Sequence, residues 1–190
     1  MNINTIKDVL FIGDILDNPR AYSGTKHVLY KNKLKIDYNK KLPKGFVNKP
    51  LSIVYFICVD DTIYKIGQTS GKHGIKGCMN FYCCAGQDAT GANRFTINAL
   101  IRQEMSNGKK VSVYMKWEEP VLMKIEGINR THKIYAPVCA KSLEQVHLAD
   151  YRVMTGTIPP WNFQESVTKV PSFINEQFAT YRKMRAAARV

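Results

Sequence analysis

No stretch of this chain approaches the ~20 consecutive apolar residues that a membrane-spanning helix needs, so none of it reads as a transmembrane segment. Met1-Asn2-Ile3-Asn4-Thr5 is not a basic region followed by an apolar one, so no secretion signal is read. The expected location is cytoplasmic. Cysteine is sparse and odd in number: Cys58, Cys78, Cys83, Cys84 and Cys139. An odd count without an export signal points to reduced thiols rather than a disulfide framework. Cys78, Cys83 and Cys84 lack the second C-x2-C pair or spaced histidines of a zinc site. Internal repeats and low-complexity segments are missing too, as is any large supply of acid. Asp and Glu total 15 against 28 Lys and Arg, a formal net charge of +13.

That excess favours a polyanionic partner. Nucleic acid leads, with membrane surfaces and acidic proteins as the other attractors of such chains. The remaining composition is ordinary for a globular protein, with 45% hydrophobic and 23% charged residues. A chain of 190 residues suits one domain with extensions or an insertion, and is long enough to bury a real core.

Residues 1–20 read as a short helix or strand ending in a turn at Asp17-Asn18-Pro19. The segment 26–49 holds Lys26, Lys31, Lys33, Lys35, Lys40, Lys41, Lys44 and Lys49, with Asp37 as its one acid. Leu34, Ile36 and Tyr38 alternate within it as on a half-buried strand, giving a basic arm or hairpin. After Pro50, the apolar β-branched run Ile53–Val59 reads as a buried strand. Asp60-Asp61 makes a tight turn into a second strand, residues 62–67. A glycine-rich loop is expected from Gly71 to Gly77. Asn93 to Ser106 has helical periodicity, closed by Gly108. Lys110 to Trp117 alternates as a third strand. Val121–Ile125 and Lys133–Val138 suggest an inserted hairpin around Gly127-Ile128-Asn129-Arg130. Ser142 is a plausible N-cap for a helix to about Met154, with Gly156 beyond. A last helix is expected over Ser172 to Arg189, its end carrying Arg182, Lys183, Arg185 and Arg189.

Two clusters give the chain a family resemblance. Ile53-Val54-Tyr55 is followed, ten positions after the tyrosine, by Lys65-Ile66-Gly67. Later, Asp150-Tyr151-Arg152-Val153-Met154 precedes Pro159-Pro160-Trp161-Asn162. Together these resemble the GIY-YIG nuclease superfamily over residues 52 to 163. Lysine in the second motif is similar to a subset that includes small restriction enzymes. The resemblance implies an α+β fold: a small, mainly antiparallel three-stranded sheet flanked by helices, with a basic N-terminal arm and a C-terminal helix. It divides the chain into a basic extension (1–50), a nuclease domain (51–163, insertion about 120–138) and a basic helical extension (164–190).

It also implies a magnesium-dependent DNA endonuclease, possessing restriction-like sequence specificity and acting as a homodimer. Hydrolysing a phosphodiester needs a base near the attacking water, a cation on the phosphoryl oxygens and a metal-held exit for the alkoxide. Tyr55 with Lys65 is the candidate for activating water, given a depressed lysine pKa. Lys76 or Arg94 is the candidate for holding the phosphate, and Glu144 or Asp150 for holding Mg²⁺. Aspartate departs from the family's usual glutamate, and Glu144 is the right type six residues earlier. Asn162 would brace the site and His147 would be a second proton carrier. Contacts to DNA fall to Lys33, Lys35, Lys40, Lys41, Lys72, His73, Arg130, Arg182 and Arg185. The alternative is a catalytically inactive nucleic-acid-binding module of the same fold. Each candidate also has a plain structural role open to it: a core aromatic for Tyr55, solvent-facing lysines for Lys65 and Lys76, a structural histidine for His147.

Overall fold

A computed structural model describes residues 1–21, 30, 32–84, 91–165 and 169–187. Lys26, Lys31 and Arg189 lie outside the described residues. Among the described residues, a five-stranded sheet runs in the order β2-β1-β5-β3-β4. Its strands are β1 (Leu10–Ala21), β2 (Asn32–Tyr38), β3 (Ile53–Val59), β4 (Thr62–Thr69) and β5 (Val111–Trp117). All four pairings are antiparallel. The four helices are α1 (Gly74–Cys83), α2 (Ala92–Ser106), α3 (Ala140–Thr155) and α4 (Ser172–Ala187). The architecture is α+β, as the sequence implies, with five strands instead of three. The two extra strands come from the first 50 residues. β1 passes through Asp17 and Asn18 as strand, paired with Leu34 and Lys33, so the expected turn there is absent.

The apolar run 53–59 is strand because every position in it is buried. A strand covered on both faces reads as continuous hydrophobics rather than as alternation. One face carries Ile53, Tyr55, Ile57 and Val59 against α1, α2 and α4. The other carries Val54, Phe56 and Cys58 against Tyr151, Leu143 and Leu148 of α3. Asp60 and Asp61 both have positive φ, 45° and 61°, the twist a two-residue hairpin turn requires.

The expected loop over 71–77 is half helix, since α1 begins at Gly74. That glycine has φ of 58°, and a Cβ on it would strike the carbonyl oxygens of Lys49 and Val47. Glycine is there for close packing against the 46–48 turn, not for looseness. The third helix starts earlier than Ser142 suggests, with Cys139 at the N-cap. Gly156, at φ 72°, ends it as expected. The insertion is a separate two-stranded ribbon, β6 (Val121–Glu126) and β7 (Thr131–Ala136).

β4 is an edge strand, and its free backbone groups are taken up. Ile63 N–H donates to Met1 O at 2.9 Å and Trp161 N–H donates to Tyr64 O at 2.8 Å. The buried side chain of Asn162 accepts from Ile66 N–H at 2.9 Å and donates from Nδ2 to Ile66 O at 2.8 Å. These contacts fix β4 on both sides of Lys65. Among the described residues, no helix is long and apolar enough to cross a membrane.

Candidate active site

The register of the β3–β4 hairpin determines what can meet. Tyr55 lies opposite Gly67 and Ile57 opposite Lys65. Directly paired residues share a face, so Tyr55 and Lys65 project from the same side of the sheet. Gly67 leaves that face open, and a Cβ there would collide with the Tyr55 ring and hydroxyl. Tyr55 therefore lies across its neighbour and reaches α1. Its hydroxyl is 2.7 Å from that of Tyr82, and Cys78 acts electrostatically on it. Asn98 of α2 donates from Nδ2 to Tyr82 O, tying α1 to α2 beside the pair.

Two clefts open over this face. The first, about 370 Å³, is lined by Tyr55, Tyr82, Phe81 and Arg94, with Lys72 and His73 contributing positive or titratable side chains. The second, about 200 Å³, is lined by Lys65, Glu165, Trp161 and Phe163, and again by Tyr82 and Arg94. Tyr82 and Arg94 are thus shared walls, and the clefts adjoin there. The Arg94 guanidinium lies 3.8 Å from the centroid of the Phe81 ring.

The electrostatics follow from burial. Burial pushes the Lys65 ammonium below its ordinary range, while Glu165 and Glu144 hold it back. Burial raises the Glu144 carboxyl, opposed by Lys65 and reinforced by Glu165. Tyr55 is driven well above the usual phenol range by burial and by Tyr82. Burial likewise pushes Tyr82 up to about 12 and Cys78 to about 11. Near neutrality the phenols hold their protons and serve as hydrogen-bond donors. The side chain in this cluster with a downward shift towards accepting a proton is Lys65.

The structure brings Tyr55, Lys65 and Arg94 together on the walls of the two adjoining clefts. Glu144 of α3 lines neither cleft but acts electrostatically on Lys65, and several other sequence candidates are separate. Lys76 is on the exposed face of α1 and lines neither cleft; the cation at the shared wall comes from α2. Asp150 lines a different cleft, of about 210 Å³, with His147, Lys116 and Tyr151. His147 packs edge-on against Phe56, centroids 5.5 Å apart, on the opposite face of the sheet. Burial and Lys116 lower its pKa, with Asp150 opposing. Asn162 braces β4 through its backbone and is 1% exposed. Of the basic candidates, Lys33 and Lys35 sit on β2, with exposed Lys40 and Lys41 just after it. That edge is four strand spacings from β4, roughly 19 Å. Arg130 is exposed at the tip of the ribbon, and Arg182 and Arg185 are on α4.

Sequence reasoning missed Tyr82, Cys78, Phe81 and Glu165. Reading 74–83 as helix would have found the first two, since Cys78 and Tyr82 are four apart and share a face. Glu165 sits three residues beyond Asn162, in the turn where Glu165 N–H donates to Asn162 O.

A divalent hard cation fits this site in one form. Among the described residues, no group of three or more His, Cys, Asp or Glu side chains gathers as a protein cage. Mg²⁺ characteristically keeps several waters and binds through one or two carboxylates plus substrate phosphate. Half-buried Glu144, electrostatically coupled to Glu165 and Lys65, is a donor of that kind.

No family model matches the chain, and no curated protein matches it in sequence. Among solved structures it is similar to a mutant of bacteriophage T4 EndoII, with a TM-score of 0.51 and 16% identity, covering 85% of this chain and 99% of that one. It is also similar to restriction endonuclease HPY188I in complex with product DNA, with a TM-score of 0.42 and 16% identity, covering 80% of this chain and 78% of that one. The chain has the EndoII fold. At this identity the likeness concerns the fold alone.

Proposed function

We propose that this protein is a divalent-metal-dependent DNA endonuclease whose site is the junction of the two clefts. The observation that carries the reading is convergence: a lysine with a lowered pKa, a guanidinium, a pair of phenols and the Glu165 carboxylate line two adjoining clefts, with Glu144 of α3 acting electrostatically on the lysine. This occurs in a chain of net charge +13, and the fold shared with phage EndoII agrees with it.

Lys65 Nζ, when unprotonated, takes a proton from the attacking water. As that proton leaves, the water oxygen bonds to phosphorus and the ester P–O bond on the leaving side breaks. In the hydrogen-bonded Tyr55–Tyr82 pair, both protonated, one hydroxyl donates to the other and the second is free to donate to the water or a phosphoryl oxygen. Arg94 faces the charge that grows on the phosphoryl oxygens. Mg²⁺ held through Glu144 would supply further positive charge to the phosphate and to the leaving alkoxide. Glu144 and Glu165 stabilise the ammonium that forms as Lys65 takes this proton, and Lys65 must release the proton to solvent before the next cycle. One such site per chain cuts one strand, so a double-strand break needs two copies or two successive nicks.

Plasmid incubated with the purified protein tests the reading. Mg²⁺-dependent nicked or linear DNA, lost in EDTA and with Lys65→Ala, is the expected result. Intact plasmid together with salt-sensitive gel shifts would instead indicate a binding module, a reading whose one structural support is the outward position of Lys76 on α1.

A further inference from the structure

Phe81 is 52% exposed, although the fold has no use for an aromatic there. Its helix already packs through Ile75, Met79 and Cys83, and removing the ring would uncover no core. A lone exposed apolar residue is ordinary, but this one has company. It lines the first cleft beside the Tyr55–Tyr82 hydroxyl pair. The Arg94 guanidinium lies 3.8 Å from its ring centroid, close enough for stacking or cation–π attraction. Gly71, Gly74 and Gly77 line the same cleft. At about 370 Å³ it lies within the range of small-molecule sites.

A stacked aromatic–guanidinium pair at the mouth of a cleft suits one chemical class well: a planar heteroaromatic base carrying a phosphate. Bases released from their own stack are held on aromatic rings and on arginine planes. A base still inside a duplex presents only its edges to such a surface. We infer that the Phe81–Arg94 pair is a stacking platform for a nucleobase that has left the duplex, next to the phosphodiester at Tyr55 and Lys65. The favoured substrate is then DNA with an unpaired, bulged or flipped nucleotide, or a single strand. This inference rests on the endonuclease reading for its substrate class but makes a separate claim about base geometry.

Fluorescence anisotropy titrations in EDTA separate the two. The probes are a paired duplex, the same duplex with one unpaired nucleotide, and one of its strands alone. The wild-type protein should bind the second and third about tenfold more tightly than the first. Phe81→Ala should erase that preference while leaving binding to the paired duplex, and Phe81→Tyr should retain it. Equal affinity for all three probes, or a preference that survives Phe81→Ala, overturns the platform and leaves the endonuclease reading standing. Failure to bind any probe overturns both.

Discussion

Replacing Asn162 with alanine should damage this protein more than its position in a terminal turn suggests. Asn162 is 1% exposed, and its side chain behaves as a short piece of strand. It accepts from Ile66 N–H at 2.9 Å and donates to Ile66 O at 2.8 Å. Alanine removes both partners and leaves a buried donor and a buried acceptor on β4. Each such group costs about 1–3 kcal/mol, so the variant should lose about 2–6 kcal/mol against a typical stability of about 5–15 kcal/mol. Lys65 is the next residue along, so a local slip of β4 also moves the proposed base. Urea unfolding, followed by circular dichroism and by the fluorescence of Trp161, measures the loss at an unchanged m-value. Asn162→Asp adds a test of sign. A buried carboxylate facing Ile66 O has a raised folded pKa, so its penalty is full above that pKa and falls away as pH drops. Protonated, the side chain can again donate to Ile66 O. The aspartate variant should therefore recover much of its stability in acid, and the alanine variant should not. A loss below about 0.5 kcal/mol for Asn162→Ala, the level of an indifferent surface change, would refute the strand-edge account.

Other positions respond to the same geometry. Gly67→Ala forces the Tyr55 ring aside and should cost about 1–3 kcal/mol, the usual range for overpacking; thermal unfolding and cleavage rate measured together would show both effects. Because the Lys65 pKa is depressed and the base is its neutral form, single-turnover cleavage should rise with pH, with a midpoint below the ordinary 10.5, and Lys65→Arg should abolish that limb. The Glu144 carboxyl is raised in the fold, so its ionised form opposes folding at every pH above its folded pKa. Glu144→Gln should thus raise the melting temperature at pH 7, lose that advantage in acid and lose cleavage throughout. Exchanging Lys35, Lys40 and Lys41 for glutamine should weaken binding to all DNA sequences alike and flatten the salt dependence by about one unit for each phosphate no longer neutralised.

The sequence was most legible where one physical signal had little competition: the run Ile53–Val59 read as a buried strand and Asp60-Asp61 as a turn. The shared face of Tyr55 and Lys65 was not legible, because a plain two-residue hairpin would set Lys65 opposite Phe56, and an irregularity between Ile57 and Cys58 moves it opposite Ile57. Segment 71–77 was misleading because glycine has two uses. Gly74 and Gly77 read as loop, yet they are small so that α1 can sit against the 46–48 turn and against His73. That misreading hid Cys78 and Tyr82. The strand count was underread because β1 is interrupted by Gly13 and ends near Pro19, both of which weaken a strand pattern. Its pairing with β5 joins segments about a hundred residues apart, which no local window contains. The choice between Glu144 and Asp150 was also beyond reach of spacing. Asp150 has the better distance along the chain to Asn162, but it lines the cleft with His147 and Lys116, whereas the charge of Glu144 acts on Lys65.

That last contrast gives the most direct test of the central claim, a metal-dependent nuclease site built from Tyr55, Lys65, Arg94 and Glu144. Cleavage of a plasmid in Mg²⁺ should be measured for the wild-type protein, Glu144→Ala and Asp150→Ala, with each variant's folding checked by circular dichroism. Wild-type cleavage that is lost with Glu144→Ala and kept with Asp150→Ala is the predicted result. Cleavage that survives Glu144→Ala, or a folded wild-type protein that leaves every DNA substrate intact, would contradict it.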